Sequence, residues 1–408
     1  MIFDEHQKKG SLPGSILLIA GCCIGAGMLG LPVSTAEAGF WPSTIMFFLA
    51  WIFMMSTGLL LLEVNLSFHK EVNLITMAHK TLGNAGRAAA WFLFVFLFYS
   101  IMVSYSAGGG ELFADLIELT FGFPVSRSVG SVVFVGFFGL IIYYGTFAVD
   151  RINRFLMAGL IATFFLLLVL GLPHVRPELY SYYNPIQSIW ALPVMIVSFG
   201  YHNLIPSLTT YLKFDPKRMR KAIIFGSAIP LICNVLWERL ILGLISPESF
   251  AASSDKGTMV THALKEASAN VFVTEIAGYF AFFAIITSFI GVALSFVDFL
   301  ADGFNLKKDR QSKLISCSLV LVPPLVFALI NPDIFVTALR YAGGFGAVIL
   351  FGVLPCLMVL SGRYKKKLWD LHLLPGGKPV LFLVMFFGIS VFVIQLISVI
   401  FPELLYAK

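Results

Sequence analysis

The chain has 408 residues, 58% apolar and 12% charged, with a formal net charge of +6. Soluble domains carry roughly 25% charged residues, so half that content excludes a soluble multidomain protein and marks an integral membrane one. The basic balance would suit a nucleic-acid partner only if the charges were clustered on one folded face.

Gaps between charges place the elements. Uncharged runs occupy 10–36, 38–62, 88–110, 128–149, 155–175, 179–212, 222–237, 276–297, 314–332, 341–362 and 379–402. Eleven runs predict eleven transmembrane helices, because lipid demands a backbone that satisfies itself internally. The 222–237 run is short and extends through Glu238 and Arg239 to Leu244; the run at 341 extends back towards Asp333, which puts Arg340 inside a span. The first run is too long for the apolar part of a cleaved leader, although Ala36-Glu37-Ala38 imitates a cleavage site.

With the N-terminus inside, 21 of the 28 Lys and Arg fall on the cytoplasmic side and five outside, while Arg239 and Arg340 lie within spans. This positive-inside bias runs the length of the chain and accounts for the basic balance without nucleic acid. It predicts a multi-pass protein of the cytoplasmic (inner) membrane with its C-terminus outside. The exterior segment 246–269 is polar and is expected to form short surface helices. The five cysteines all lie in apolar runs with no C-x-x-C spacing, so they read as small packing residues rather than a disulfide or metal framework.

Span 1 is irregular where it should be most regular. Gly21, Gly25 and Gly27 fall within seven residues at its middle. Glycine lets the backbone leave helical angles, yet irregular backbone at membrane depth is tolerated only inside protein or along a cavity. Alone, the stretch fits a packing face equally well. Span 6 decides between the two readings, because Gly200, His202, Asn203 and Pro206 cluster near its middle. Two interrupted helices five spans apart are the mark of two five-helix units of inverted topology. The predicted organisation is one transporter domain over 1–408, with repeats at 10–175 and 179–362 and an additional helix at 379–402.

Each broken helix leaves free N–H groups at one half-helix end and free carbonyls at another. The N-termini favour a carboxylate and the C-termini an ammonium group, so a zwitterionic amino acid matches them without a charged side chain. Cys23, Ala26 and Gly27 from span 1 and Phe199, Gly200, Tyr201 and His202 from span 6 are the expected substrate contacts.

The segments Ala20-Gly-Cys-Cys-Ile-Gly-Ala-Gly-Met-Leu-Gly-Leu-Pro32, Leu59-Leu-Leu-Leu-Glu63, Ser198-Phe-Gly-Tyr-His202 and Ser288-Phe-Ile-Gly-Val-Ala-Leu294 with Asp298 resemble the hydroxy/aromatic amino acid permeases. So do Asn153-Arg-Phe-Leu156 and Pro323-Pro324 followed by Tyr341-Ala-Gly-Gly344. The resemblance runs in order over nearly the whole chain and is closest to the tyrosine-specific permeases. It implies an all-α fold of the leucine-transporter type with helices 1 and 6 unwound, proton-coupled import, and an aromatic amino acid as substrate. Gly25, Ser288 and Tyr99 join the expected substrate shell, with Phe98 and Tyr105 as an aromatic wall.

Two ionisable residues are candidates for proton coupling. His202 is the one histidine within a predicted span, and its ordinary pKa near 6.5 suits the task. Glu111 follows Gly108-Gly109-Gly110 and reads either as a proton site or as a support for a helix break. Asp298 and Asp302, four apart at the inner end of span 8, read as an inner gate with Arg151 or Arg154. Glu63 reads as a salt-bridge or interfacial residue, Glu238 and Arg239 as residues near the outer interface, and Arg340 as a snorkelling one. Proton-coupled relatives in the wider superfamily often hold a lysine in span 5, which is absent here. That leaves open a sodium site of Gly21 and Ile24 carbonyls with Thr287, Ser288 or Ser295 hydroxyls.

Catalysis would require converging acids, a metal cluster or a nucleophile beside a base, and the sequence has no H-E-x-x-H and no Gly-x-Ser-x-Gly. No metal, no cofactor beyond the coupling ion and no obligate protein partner are expected. A channel would recruit rings of identical carbonyls or charges, unlike two different broken helices. A carrier for serine, threonine or another neutral amino acid is the alternative within transport. A non-transporting sensor is the alternative outside it.

Overall fold

The computed structural model describes residues 10–70, 72–254, 260–267, 271–304, 306 and 309–405, and all regular structure among them is helical. The polar gaps between apolar runs supply the helix starts. Ser11, Asn73, Ser126, Asp215 and Asp309 each accept a backbone N–H two or three residues on, satisfying donors that a helix N-terminus leaves free.

In chain order, α1 (Leu12–Cys23) and α2 (Gly27–Thr35) meet at a bend of 52°. Next come α3 (Phe40–Leu66), α4 (Leu74–Phe121), α5 (Arg127–Tyr144) and α6 (Thr146–Gly171). Three short helices follow, α7 (Pro185–Trp190), α8 (Leu192–Ser198) and α9 (Ile205–Tyr211), then the long α10 (Pro216–Leu244). Helices α11 (Pro247–Ser254) and α12 (Val260–Ala267) fall in the exterior segment expected to carry short helices. The chain continues with α13 (Val271–Gly303) and α14 (Arg310–Ile330). One span, Phe335–Lys365, then joins α15 (Phe335–Tyr341) and α16 (Leu354–Val359) through π-helical turns. Helix α17 (Gly377–Ile400) is last.

Nine of the described helices are long and apolar enough to cross a membrane, and the bent α1–α2 pair makes ten. The sixth predicted span, over 179–212, is discontinuous and made of short helices. Pro185, Pro193 and Pro206 each start a new short helix there, since proline cannot donate to the preceding turn. The run 88–110 underestimates its helix in the other direction. Its helix runs from the Asn73 cap across a kink at Gly83 (φ 77°) to Gly122, which closes it in the left-handed region.

Gly108–Gly110 do not break α4. A Cβ at these positions would meet Phe335, Phe134 and Ser131, so the glycines let neighbouring helices close in, and Gly130 of α5 packs directly on the Gly110 carbonyl. Glu111 is buried in continuous helix beyond them. Glu238 is likewise fully buried, not interfacial, while its neighbour Arg239 faces outward. Arg340 lies within electrostatic reach of Glu37 in the α2–α3 connection.

Near the C-terminal end of α3, Glu63 is wholly buried and ties the last part of the chain down. Arg363 Nε donates to its Oε1 at 2.6 Å and Arg363 Nη2 to its Oε2 at 2.5 Å, a two-pronged ion pair. Trp369 Nε1 and the Leu373 N–H add donors at 2.9 Å each.

Candidate functional site

Helix α1 closes when Ile24 N–H reaches the Ala20 carbonyl with Ile24 itself extended (φ −91°, ψ 102°). The next turn is tight, with Met28 N–H on Gly25 O and Leu29 N–H on Ala26 O. Helix α13 presses on this break: Ala26 N–H donates to Ser288 Oγ at 3.1 Å, and a Cβ on Gly25 would collide with that same oxygen. Gly27 leaves room for Ser198 of α8. Only glycine permits both approaches at once.

The second break lies between α8 and α9. Phe199 and Gly200 close on Ile196 and Val197, and Leu204 N–H reaches the Tyr201 carbonyl to begin the next turn. The two breaks touch, for Cys22 Sγ donates to the Gly200 carbonyl at 3.4 Å.

Where they meet lies a small, partly open cavity. The breaks contribute Cys22, Cys23, Gly25, Gly27, Ser198, Gly200 and Asn203. Helix α4 adds Leu97, Phe98, Ile101 and Tyr105, α13 adds Ser288 and Val292, and the Phe335–Lys365 span adds Leu339, Ala347 and Phe351. No charged side chain lines it. Its polarity comes from hydroxyls, an amide, thiols and the facing ends of α1 and α2, whose C- and N-termini carry opposite partial charges.

Of the expected substrate residues, Cys23, Gly25, Gly27, Gly200 and Ser288 line this cavity. Ala26 acts through its N–H on Ser288. Phe199, Tyr201 and His202 are buried behind the wall. The Tyr201 hydroxyl donates to the Met54 carbonyl at 3.2 Å, over Gly58 of α3. His202 Nε2 is 2.9 Å from Thr57 Oγ1, and its ring lies between Tyr201 and Phe351. Its Nδ1 meets no hydrogen-bond partner among the described residues. Tyr99 turns away altogether and donates to the Leu319 carbonyl of α14 at 2.8 Å. Phe98, Ile101 and Tyr105 repeat at helical spacing on one face of α4, and Tyr99 is about 100° round from Phe98.

Of the hydroxyls considered for sodium, Ser288 sits at the span 1 break, while those of Thr287 and Ser295 bond along their own helix, to Phe283 O and Gly291 O. Ser295 lies two turns from Ser288, about 10 Å along α13 at 1.5 Å per residue. Gly21 faces Met157 of α6, and Ile24 forms the extended joint.

Asp302 lines a second, inner cavity with Asn73, Pro206 and Ser207, and Asn203 borders both cavities. Between them Phe94 stacks on Phe98 (4.6 Å) and on Phe299 (4.4 Å), an aromatic layer. Asp298 is exposed and within electrostatic reach of Cys317, and Arg151 and Arg154 are exposed at the start of α6.

The family model for the tryptophan/tyrosine permease family matches residues 8–395. The chain belongs to that family. A tyrosine-specific transport system 1 from Haemophilus influenzae is 33% identical over 93% of this chain and 94% of its own. A tryptophan-specific transport protein from Pseudomonas aeruginosa is 30% identical over 94% of each. Among solved structures, MhsT in complex with L-phenylalanine superposes with a TM-score of 0.65 at 13% identity, covering 96% of this chain and 99% of that one. The fold is therefore the leucine-transporter type. As a tryptophan/tyrosine permease the chain is a multi-pass amino acid transport protein, not an enzyme.

Proposed function

We propose that the protein imports an aromatic amino acid, tyrosine before tryptophan, by proton symport with alternating access across the cytoplasmic membrane. The carrying observation is an uncharged cavity at the meeting of two broken helices, lined by Phe98 and Tyr105 of α4 and by Phe351. Helix ends serve the amino and carboxyl groups, and aromatic faces serve the side chain. The repeats at 10–175 and 179–362 rock about the two breaks, with the N-terminus inside and the C-terminus outside. Substrate leaves past Asn203 and the Phe94–Phe98–Phe299 layer into the inner cavity.

Uptake of labelled tyrosine into proteoliposomes tests this, with proton and sodium gradients imposed separately. Accumulation driven by the proton gradient and competed by phenylalanine and tryptophan, but not by serine, is expected. Accumulation driven by sodium alone would sink the proton reading. Saturable binding without accumulation would make the protein a sensor.

A further inference from the structure

Helix α10 lies along the broken first span from one half to the other. Gly226 packs on Ile19 of α1, and Trp237 Nε1 donates to the Met28 carbonyl of α2 at 3.0 Å. Asn234 falls between these contacts in register, level with the break. Glu238 follows one turn on, so the two share a face. Both are fully buried. Glu238 Oε2 accepts from Thr35 Oγ1 at 2.9 Å. Glu238 Oε1 and both polar atoms of the Asn234 amide have no partner among the described residues. Neither side chain lines the substrate cavity. Three unpartnered polar atoms on one turn of a buried membrane helix are costly unless another state of the protein uses them.

Thr35 supplies the two states. Its hydroxyl carries one proton, and three acceptors lie within reach: the Leu31 carbonyl at 3.0 Å, the Pro32 carbonyl at 3.3 Å and Glu238 at 2.9 Å. While Glu238 is ionised, the proton belongs on the carboxylate. Once Glu238 is protonated, its O–H donates to Thr35 Oγ1, and Thr35 returns its own proton to the helix carbonyl. The last turn of α2 thus hydrogen-bonds differently in the two states.

We propose that Glu238, with Asn234 one turn inward, is a proton-binding site behind the broken first span, through which proton uptake is coupled to movement of α2. This rests on the proton-driven reading above. Charges from the surrounding elements are sparse. Helix α2 has no ionisable side chain, and α1 has only Cys22 and Cys23. Glu63 of α3 is bound to Arg363, and Arg151 and Arg154 of α6 are exposed at the start of that helix. The turn Pro177–Ser181 brings Glu178 and Tyr180, whose hydroxyl donates to the Arg239 carbonyl. Glu37 faces Arg340, Glu275 of α13 is exposed, and the α12 sequence carries His262, Lys265 and Glu266.

The full-length protein in liposomes decides it, with labelled tyrosine and an entrapped pH dye. Glu238→Gln is expected to bring the steady-state accumulation ratio under a proton gradient to about unity. Substrate-evoked acidification should fall at least tenfold, while exchange at equal pH stays measurable. Accumulation at the wild-type ratio overturns the proposal. Thr35→Val serves where Glu238→Gln does not fold, and its lost donor should raise the pH midpoint of exchange by half a unit or more. An unmoved midpoint also overturns the proposal. Sodium-driven accumulation by the unsubstituted protein defeats the proton reading itself, and is read before any variant is made.

Discussion

Phe351 lies face to face with His202, ring centroids 4.9 Å apart and planes inclined by 10°, and also borders the central cavity. The histidine is therefore screened from substrate by one aromatic ring. His202 otherwise touches Tyr201, stacked on its ring, and Thr57, its hydrogen-bond partner.

Phe351→Ala removes both the wall and the screen. An aromatic pair is worth about 0.5–1.5 kcal/mol beyond its buried area, so the KM for tyrosine should rise roughly tenfold once lost area is added. Uptake kinetics measure this. A KM within twofold of the unsubstituted protein would take Phe351 out of the substrate's wall.

Gly25→Ala places a methyl group into Ser288 Oγ. The initial rate should fall at least hundredfold, because helix α13 or the break must shift. Ser288→Ala removes the colliding oxygen, so the double variant should recover part of the rate, a coupling that a double-mutant cycle quantifies. Additive losses would show that the contact is not what disables the single variant.

Both breaks were legible because two interruptions five spans apart read as a pair, whereas the lone cluster Gly108–Gly110 is a packing face. The phase of the helices was not legible. Helix α4 is apolar towards protein and lipid alike, so nothing in the pattern distinguishes the face bearing Phe98 and Tyr105 from the one bearing Tyr99. Phe351 was hidden among 41 phenylalanines. Glu238 looked interfacial because it adjoins Arg239, yet a helix sends adjacent residues to different faces, and only one of the two faces lipid or water. What the run 179–212 did not reveal is that Pro185 and Pro193 open further short helices ahead of the interruption read from Gly200 to Pro206.

Arg363→Ala strands the Glu63 carboxylate, which is fully buried. Removing one partner of a buried ion pair costs about 3–5 kcal/mol. The melting temperature of the detergent-solubilised protein should fall clearly, and Arg363→Lys should restore little of it, since an ammonium cannot make the two-pronged contact. Full rescue by lysine would mean that charge alone, without the fork, holds the last part of the chain.

Glu37 gives a pH signature. Burial raises its carboxyl above the ordinary 4.5, and Arg340 pulls it down by less. The folded state therefore resists ionisation of Glu37, and stability falls as pH rises from about the unfolded value through the raised one. Glu37→Gln should flatten this fall, and Arg340→Gln should steepen it. Melting curves between pH 4 and 8 record both slopes, and parallel curves for all three proteins would refute the assignment.

The Glu63 clasp also bears on how the protein is made. Its carboxylate and the Arg363 guanidinium are 300 residues apart in the chain. At roughly 5–20 residues per second, the ribosome delivers the arginine some 15–60 s after the glutamate. Through that interval the second helix waits in the bilayer with an acid that has none of its final donors. The clasp can close only once Arg363, Trp369 and Leu373 have been made, so a chain truncated before Arg363 cannot assemble it.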